Sequence, residues 1–126
     1  MAARPQRNTA PGDESRVIEK RTIPDFDRKI HERTRLAIMS ALAVNDKLTF
    51  VELRDIVQTT DGNISVHARR LEDVGYLTMK KFFVGRIPRT EYQMTPAGRR
   101  AFEKYIAHME ALLLGGMLKE RIANSE

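Results

Sequence analysis

Asn63, Ser65, Val66, Arg69 and Arg70 fall within one short stretch, Thr60 to Gly75. Thr60 or Asp61 can accept from the free amides of a first helical turn, and Gly75 can take the left-handed conformation that closes a last one, so a helix is expected between them. With successive residues about 100° apart, Ile64, Ala68 and Leu71 form one stripe with Val74 at its edge, and this stripe faces inward. The opposite face carries Ser65, Val66, Arg69 and Asp73, flanked by Asn63 and Arg70. Short hydrogen-bonding groups, a small apolar group and two arginines match the base edges and phosphates of a DNA major groove. An ordinary solvated face is the alternative for this helix alone, although such faces usually carry Glu and Lys paired at i,i+4.

Other chemistry finds little footing. His31, His67 and His108 are scattered, and His108 has only Glu110 nearby in sequence, too few ligands for a metal site; no metal or cofactor is expected. His67 lies on the core flank of its helix, where packing or a hydrogen bond is the simpler role. No Ser-His-Asp order, phosphate loop or paired carboxylate set is present, and Gly85, Gly115 and Gly116 make no nucleotide fingerprint. An enzyme is not expected.

The elements that would position the helix can be read on both sides of it. Upstream, Leu36, Ile38, Met39, Leu42 and Ala43 form a helical stripe between Glu32 and Val44, preceded by a turn that buries Phe26 and Ile30. Thr49 caps a helix to about Gln58, with Glu52 placed for a capping box and Val51, Leu53, Ile56 and Val57 as its apolar positions. Only Thr59 and Thr60 separate it from the central helix, so the pair reads as a helix-turn-helix, with a plain helical hairpin as the alternative. Downstream, Tyr76 to Phe83 and Thr90 to Met94 have strand composition around the turn residues Val84 to Arg89. This hairpin carries Arg86 and Arg89 at its tip and Lys80 and Lys81 at its base, all suited to phosphates. Lys47-Leu48 is placed to add a short third strand. Tyr76, Leu77, Met79, Phe82, Phe83 and Tyr92 are expected to pack rather than stack on bases. Thr95-Pro96 starts a last helix, in which Phe102, Tyr105, Ile106, Met109, Leu112 and Leu113 recur at helical spacing as far as Gly115-Gly116.

In order and spacing, these pieces resemble the winged-helix transcriptional regulators of the MarR and ArsR type. The resemblance rests on His31 to Met39, on Leu71-Glu72-Asp73-Val74-Gly75-Tyr76-Leu77, on Arg86 to Tyr92 and on Met94-Thr95-Pro96-Ala97-Gly98, and it covers about residues 25 to 114. It implies a mainly α fold with a small antiparallel hairpin, a homodimer joined through the C-terminal helix, and double-stranded DNA as the partner. The expected division is a basic arm at residues 1–22, a winged helix-turn-helix at 23–94, a dimerisation helix at 95–116 and a tail at 117–126. The helix stripe from Phe102 to Leu113 is then the dimer interface. Regulators of this type often bind small aromatic molecules in a crevice, for which Ile38, Leu42, Phe102 and Met109 are candidates, although these residues are equally good core.

Composition agrees with such a partner. The 126 residues suffice for one domain, charged residues make up 31% and hydrophobic ones 41%, and the net charge is +5. The excess is concentrated between Thr78 and Lys104, which hold seven Lys or Arg and two Glu. Cysteine is absent, excluding disulfides and thiolate chemistry. No apolar signal core or membrane-length apolar run occurs, so a cytoplasmic protein is expected. A winged-helix module for protein or RNA contacts is the rival of a different class.

Overall fold

The computed structural model describes residues 25–124, with side chains described as far as Gly115. The basic arm expected at residues 1–22 lies outside the described residues. The elements run α1 (Arg33–Val44), β1 (Leu48–Thr49), α2 (Phe50–Val57), α3 (Asp61–Asp73), β2 (Leu77–Val84), β3 (Ile87–Met94) and α4 (Pro96–Asn124). The strands form one antiparallel sheet in the order β1-β3-β2, and Leu48 of β1 pairs with Tyr92 of β3. The fold is a winged helix: a helical body with a β2-β3 hairpin projecting from it.

Local chemistry sets the helix boundaries. The Thr49 hydroxyl accepts from the Glu52 amide at 3.2 Å while the Glu52 carboxylate accepts from the Thr49 amide at 2.9 Å, a complete capping box. Thr60 accepts from the Asn63 amide at 3.2 Å and starts α3, and Glu32 accepts from the Arg35 amide at 2.8 Å and starts α1. Helix α3 ends as a Schellman motif: Gly75, at φ +85°, donates to the Glu72 carbonyl, and Tyr76 donates to the Leu71 carbonyl, both at 2.9 Å.

Ile64, Ala68 and Leu71 of α3 are completely buried, packed in one core with Ile38, Met39 and Leu42 of α1, Leu53 of α2, and Leu77 and Tyr92 of the sheet. Helix α2 departs from expectation, because Val51 and Ile56 are 44% and 52% exposed and only Leu53 is fully buried. An eight-residue helix turns a single narrow face to the body.

The wing turn is tighter than its sequence suggests. Strands β2 and β3 pair from Leu77↔Met94 out to Val84↔Ile87, leaving only Gly85-Arg86 at the tip. Gly85 has φ +65°, and glycine at the first central position is the arrangement of a type II′ hairpin turn. Pro88 and Arg89 therefore belong to β3. Pro88 lies where β1 does not reach, so its missing N–H interrupts no ladder on that side.

Helix α4 also differs, continuing through Gly115-Gly116 to Asn124 instead of ending at the glycines. Each interior glycine costs about 1 kcal/mol relative to alanine, which weakens a helix without stopping it when good formers such as Leu114, Met117, Leu118 and Lys119 flank the pair. At its start, the Thr95 hydroxyl donates to the Gly75 carbonyl at 2.6 Å and accepts from the Gly98 amide at 2.9 Å, and the Thr95 amide donates to the Tyr76 carbonyl at 3.0 Å. Gly98 lies against the Tyr76 backbone so closely that a Cβ there would meet the carbonyl carbon at 2.9 Å and the Cα at 3.0 Å. The absence of a side chain thus permits α4 to dock on the exit from α3.

Candidate nucleic-acid interface

The burial of Ile64, Ala68 and Leu71 turns the other face of α3 outward, and Asn63, Ser65, Val66, Arg69 and Arg70 are all exposed. Asn63 is held at the helix start, its side-chain amide donating to the Thr59 hydroxyl at 3.0 Å. Arg69 pairs with Asp73 one turn on, Nε to Oδ1 at 3.4 Å, with both side chains more than 60% exposed. Such a surface pair is worth roughly 0.3–0.5 kcal/mol, so it yields easily to a phosphate or a base edge. The two helices of the helix-turn-helix are tied by a contact that sequence reading missed. Arg54 of α2 donates to Asp61 in the first turn of α3 at 2.9 Å and also pairs with Asp55. The two acids hold the Arg54 guanidinium above its usual pKa, through the hydrogen bonds it donates to Asp61 first and Asp55 second. Residues seven apart across a turn give no periodic signal, which is why the pair was not legible.

A buried arginine fixes the back of α3. Arg35 is 8% exposed, and its guanidinium donates to the Lys29 carbonyl at 2.6 Å, the Arg28 carbonyl at 3.5 Å and His67 Nδ1 at 2.9 Å. A guanidinium can only donate, so His67 Nδ1 accepts and its ring proton sits on Nε2. His67 is thus a hydrogen-bonding partner on the core flank of α3, joining it to α1 and the segment before it. Burial raises the pKa of Glu32 beside them, but hydrogen bonds from the amides of Arg35 and Thr34, with the Arg35 charge, outweigh this and hold it below its ordinary value.

The sheet divides the basic residues of the wing. Side chains alternate along a strand, so Lys81 shares a face with Met79 and Tyr92, whereas Lys80 and Arg89 lie on the opposite face with Glu91. A cleft of about 250 Å³ lies between α3 and the inner face, lined by Ser65, Arg69, Glu72, Met79, Lys81 and Thr90 among others. Ser65, Arg69 and Lys81 are therefore brought together, Arg86 stands at the tip, and Lys80 and Arg89 look away from α3. Phe83 also departs from expectation. It continues the Lys81 face and is 70% exposed instead of packed.

The stripe on α4 splits in the same way. Tyr105 is 2% exposed and hydrogen-bonds His31 Nδ1 at 2.7 Å, which makes it a core residue of its own chain and not an interface one. Phe102 and Met109 pack partly against that core, while Ile106, Leu112 and Leu113 are exposed. Of the residues suggested for a crevice, Ile38 and Leu42 are buried in the core, while Phe102 and Met109 are partly buried against it. A different cavity, of about 520 Å³, opens beside α4 between Phe26, Asp27, Arg28, Tyr76, Lys104 and His108. In it, burial and then the hydrogen bond to the Asp27 carboxylate push the Tyr76 hydroxyl up to about 12. Among the described residues no group of three or more His, Asp or Glu could hold a metal ion, and no helix is long and apolar enough to cross a membrane.

An exposed, positively charged helix face beside a projecting basic hairpin is the architecture of a winged-helix DNA-binding protein. The chain belongs to the winged helix DNA-binding domain family, whose profile matches residues 34–113. An uncharacterized protein of Methanocaldococcus jannaschii is 32% identical over 72 residues, covering 57% of this chain and 78% of its own. The same fold occurs in a transcriptional regulator homologue from Pyrococcus horikoshii OT3, with a TM-score of 0.67, 23% identity and coverage of 82% of this chain and 96% of that one. It also occurs in a MarR-family regulator from Enterococcus faecalis V583, with a TM-score of 0.59, 20% identity and coverage of 92% and 94%. The family is one of DNA-binding domains, not of enzymes.

Proposed function

We propose that this protein is a sequence-specific transcriptional regulator that binds double-stranded DNA as a homodimer on a palindromic operator. One observation carries the reading: α3 keeps Ser65, Val66, Arg69 and Arg70 clear of its own core, and Ser65 and Arg69 among them line one cleft with Lys81 of the wing. In this reading α3 enters the major groove, with Arg69 at base edges and Asn63, Ser65, Val66 and Arg70 around it, while Lys81 and Arg86 hold flanking phosphates. Arg89 and Lys80 contribute general attraction from the outer face. The dimer contact falls to Ile106, Leu112 and Leu113 of α4, which are 38%, 41% and 56% exposed. The two-fold axis then presents two copies of α3 to two half-sites.

The reading is tested with labelled duplexes of defined sequence taken from a random pool. Arg69→Ala should lose about 1–3 kcal/mol on the preferred sequence and relax its specificity. The double variant Arg86→Ala/Lys81→Ala should weaken binding to all duplexes and flatten the salt dependence. Leu112→Asp/Leu113→Asp should sediment as a monomer. Equal binding by parent and Arg69→Ala would remove α3 from the groove, and tighter binding to single-stranded RNA than to duplex DNA would favour the RNA-contact reading.

A further inference from the structure

Phe83 is the most exposed large apolar residue of the wing, ahead of Val84 and Ile87 at 55% each. It is 70% exposed near a two-residue turn, it pairs in register with Pro88, which is also exposed, and it packs into no core cluster. A large aromatic side chain held in water at a hairpin tip gives up the burial that would stabilise the fold. Two features say what covers it. The first is direction: Phe83 continues the sheet face of Lys81, which lines the cleft with Ser65 and Arg69, so it points to the side on which α3 presents its polar face. The second is charge, since Lys81 lies on the same face and Arg86 stands at the turn, a setting that draws a polyanion.

We propose that Phe83, backed by Pro88, is a minor-groove wedge that enters between base pairs of duplex DNA, partly unstacks them and bends the helix. The inference rests on the DNA-binding reading above. The geometry of the wing supports it. Phe83 is two residues beyond Lys81, so it lies about 7 Å further toward the tip. With α3 in a major groove about 12 Å wide, Phe83 is then the side chain of β2 on this face that reaches furthest from α3 toward the adjoining minor groove. Apolar side chains used in this way are commonly Phe, Leu, Ile, Met or Pro, and they kink the duplex by unstacking a step. The tight Gly85-Arg86 turn and the continuous β2-β3 ladder make the tip stiff enough to transmit that force. Val84 and Ile87 lie on the outer face and take no part in the wedge.

The test is the linking number of a nicked plasmid ligated with saturating full-length protein, with occupancy measured separately by fluorescence anisotropy on a labelled fragment of the same plasmid. The parent should change the linking number in proportion to occupancy. Phe83→Ala should lose most of that change at equal occupancy, and Phe83→Leu should keep most of it, because leucine also wedges. Exposure of the side chain predicts an unchanged melting temperature for both variants. An equal linking-number change for the parent and Phe83→Ala overturns the wedge, as does a parent that binds the duplex without changing its linking number. A parent that fails to bind the labelled fragment overturns the DNA-binding reading itself, and the wedge with it.

Discussion

Substitution of Gly98 by alanine should be among the most damaging single-methyl changes in this protein. The added Cβ would stand 2.9 Å from the Tyr76 carbonyl carbon and 3.0 Å from its Cα, and nearer still to the carbonyl oxygen. Carbon atoms rest at about 3.5–4.0 Å, so helix α4 or the Gly75-Tyr76 backbone must retreat by roughly 0.5–1 Å. Neither is free to do so. The Tyr76 carbonyl accepts from the Thr95 amide, the Gly75 carbonyl accepts from the Thr95 hydroxyl, and that hydroxyl caps Gly98. Overpacking of this kind costs about 1–3 kcal/mol. Loss of the Thr95 cap adds about 1 kcal/mol, and the reduced freedom of the unfolded alanine chain returns about 0.4–1 kcal/mol. The net cost is about 1–3.5 kcal/mol, a large part of the roughly 5–15 kcal/mol that holds a typical domain together. Urea unfolding followed by circular dichroism, at one protein concentration, should show the midpoint falling with the slope unchanged. Gly62→Ala is the control, because its Cβ would meet nothing within 4 Å, and it should unfold at the parent's midpoint or later. A Gly98→Ala midpoint equal to that of the parent would refute the close docking of α4 on the exit from α3.

Three further outcomes follow from particular contacts. Arg35→Leu should cost about 2–4 kcal/mol in urea unfolding, because it strands the Lys29 and Arg28 carbonyls and His67 Nδ1, and Arg35→Lys should not restore it since one ammonium cannot span that fork. Gln58→Gly should stabilise by up to about 1 kcal/mol in the same assay, because Gln58 closes α2 at φ 59°, a left-handed conformation that strains side-chain-bearing residues. Tyr76 has a folded-state pKa raised from 10.0 to about 12, so its stabilising share is intact below pH 10 and is lost as the pH rises toward 12. Tyr76→Phe should make stability fall less steeply over that interval, as read by thermal melts in a pH series.

Much of this architecture was written in short-range chemistry. Thr49 with Glu52, Thr60 and Thr95 announce three helix starts through hydrogen bonds that span only three residues, and the Ile64, Ala68, Leu71 stripe announces which side of α3 is buried. Those two facts together expose Ser65, Val66, Arg69 and Arg70. Features that depend on residues distant in sequence were not legible. Arg35 reads as a surface cation until the carbonyls of Arg28 and Lys29 and the ring of His67 close around it. Tyr105 belongs to an apolar stripe that is uniform in sequence, and only the approach of His31 and Phe26 decides that it faces inward. The division of Lys80 from Lys81 depends on register, which the length of the wing turn determines, and the position of Gly85 rather than Pro88 sets that turn. Phe83 has the composition of a packing residue, and its exposure follows from a hairpin that outruns the body of the protein.

The central claim, recognition of duplex DNA sequence by α3, is tested most directly by selecting bound sequences from a random duplex pool at about 0.15 M salt, where phosphate contacts alone are suppressed. Recovery of one inverted-repeat motif, with half-site centres about one helical turn apart and lost by Arg69→Ala, is the expected result. A pool that shows no enriched motif, or a motif that Arg69→Ala recovers unchanged, would contradict it.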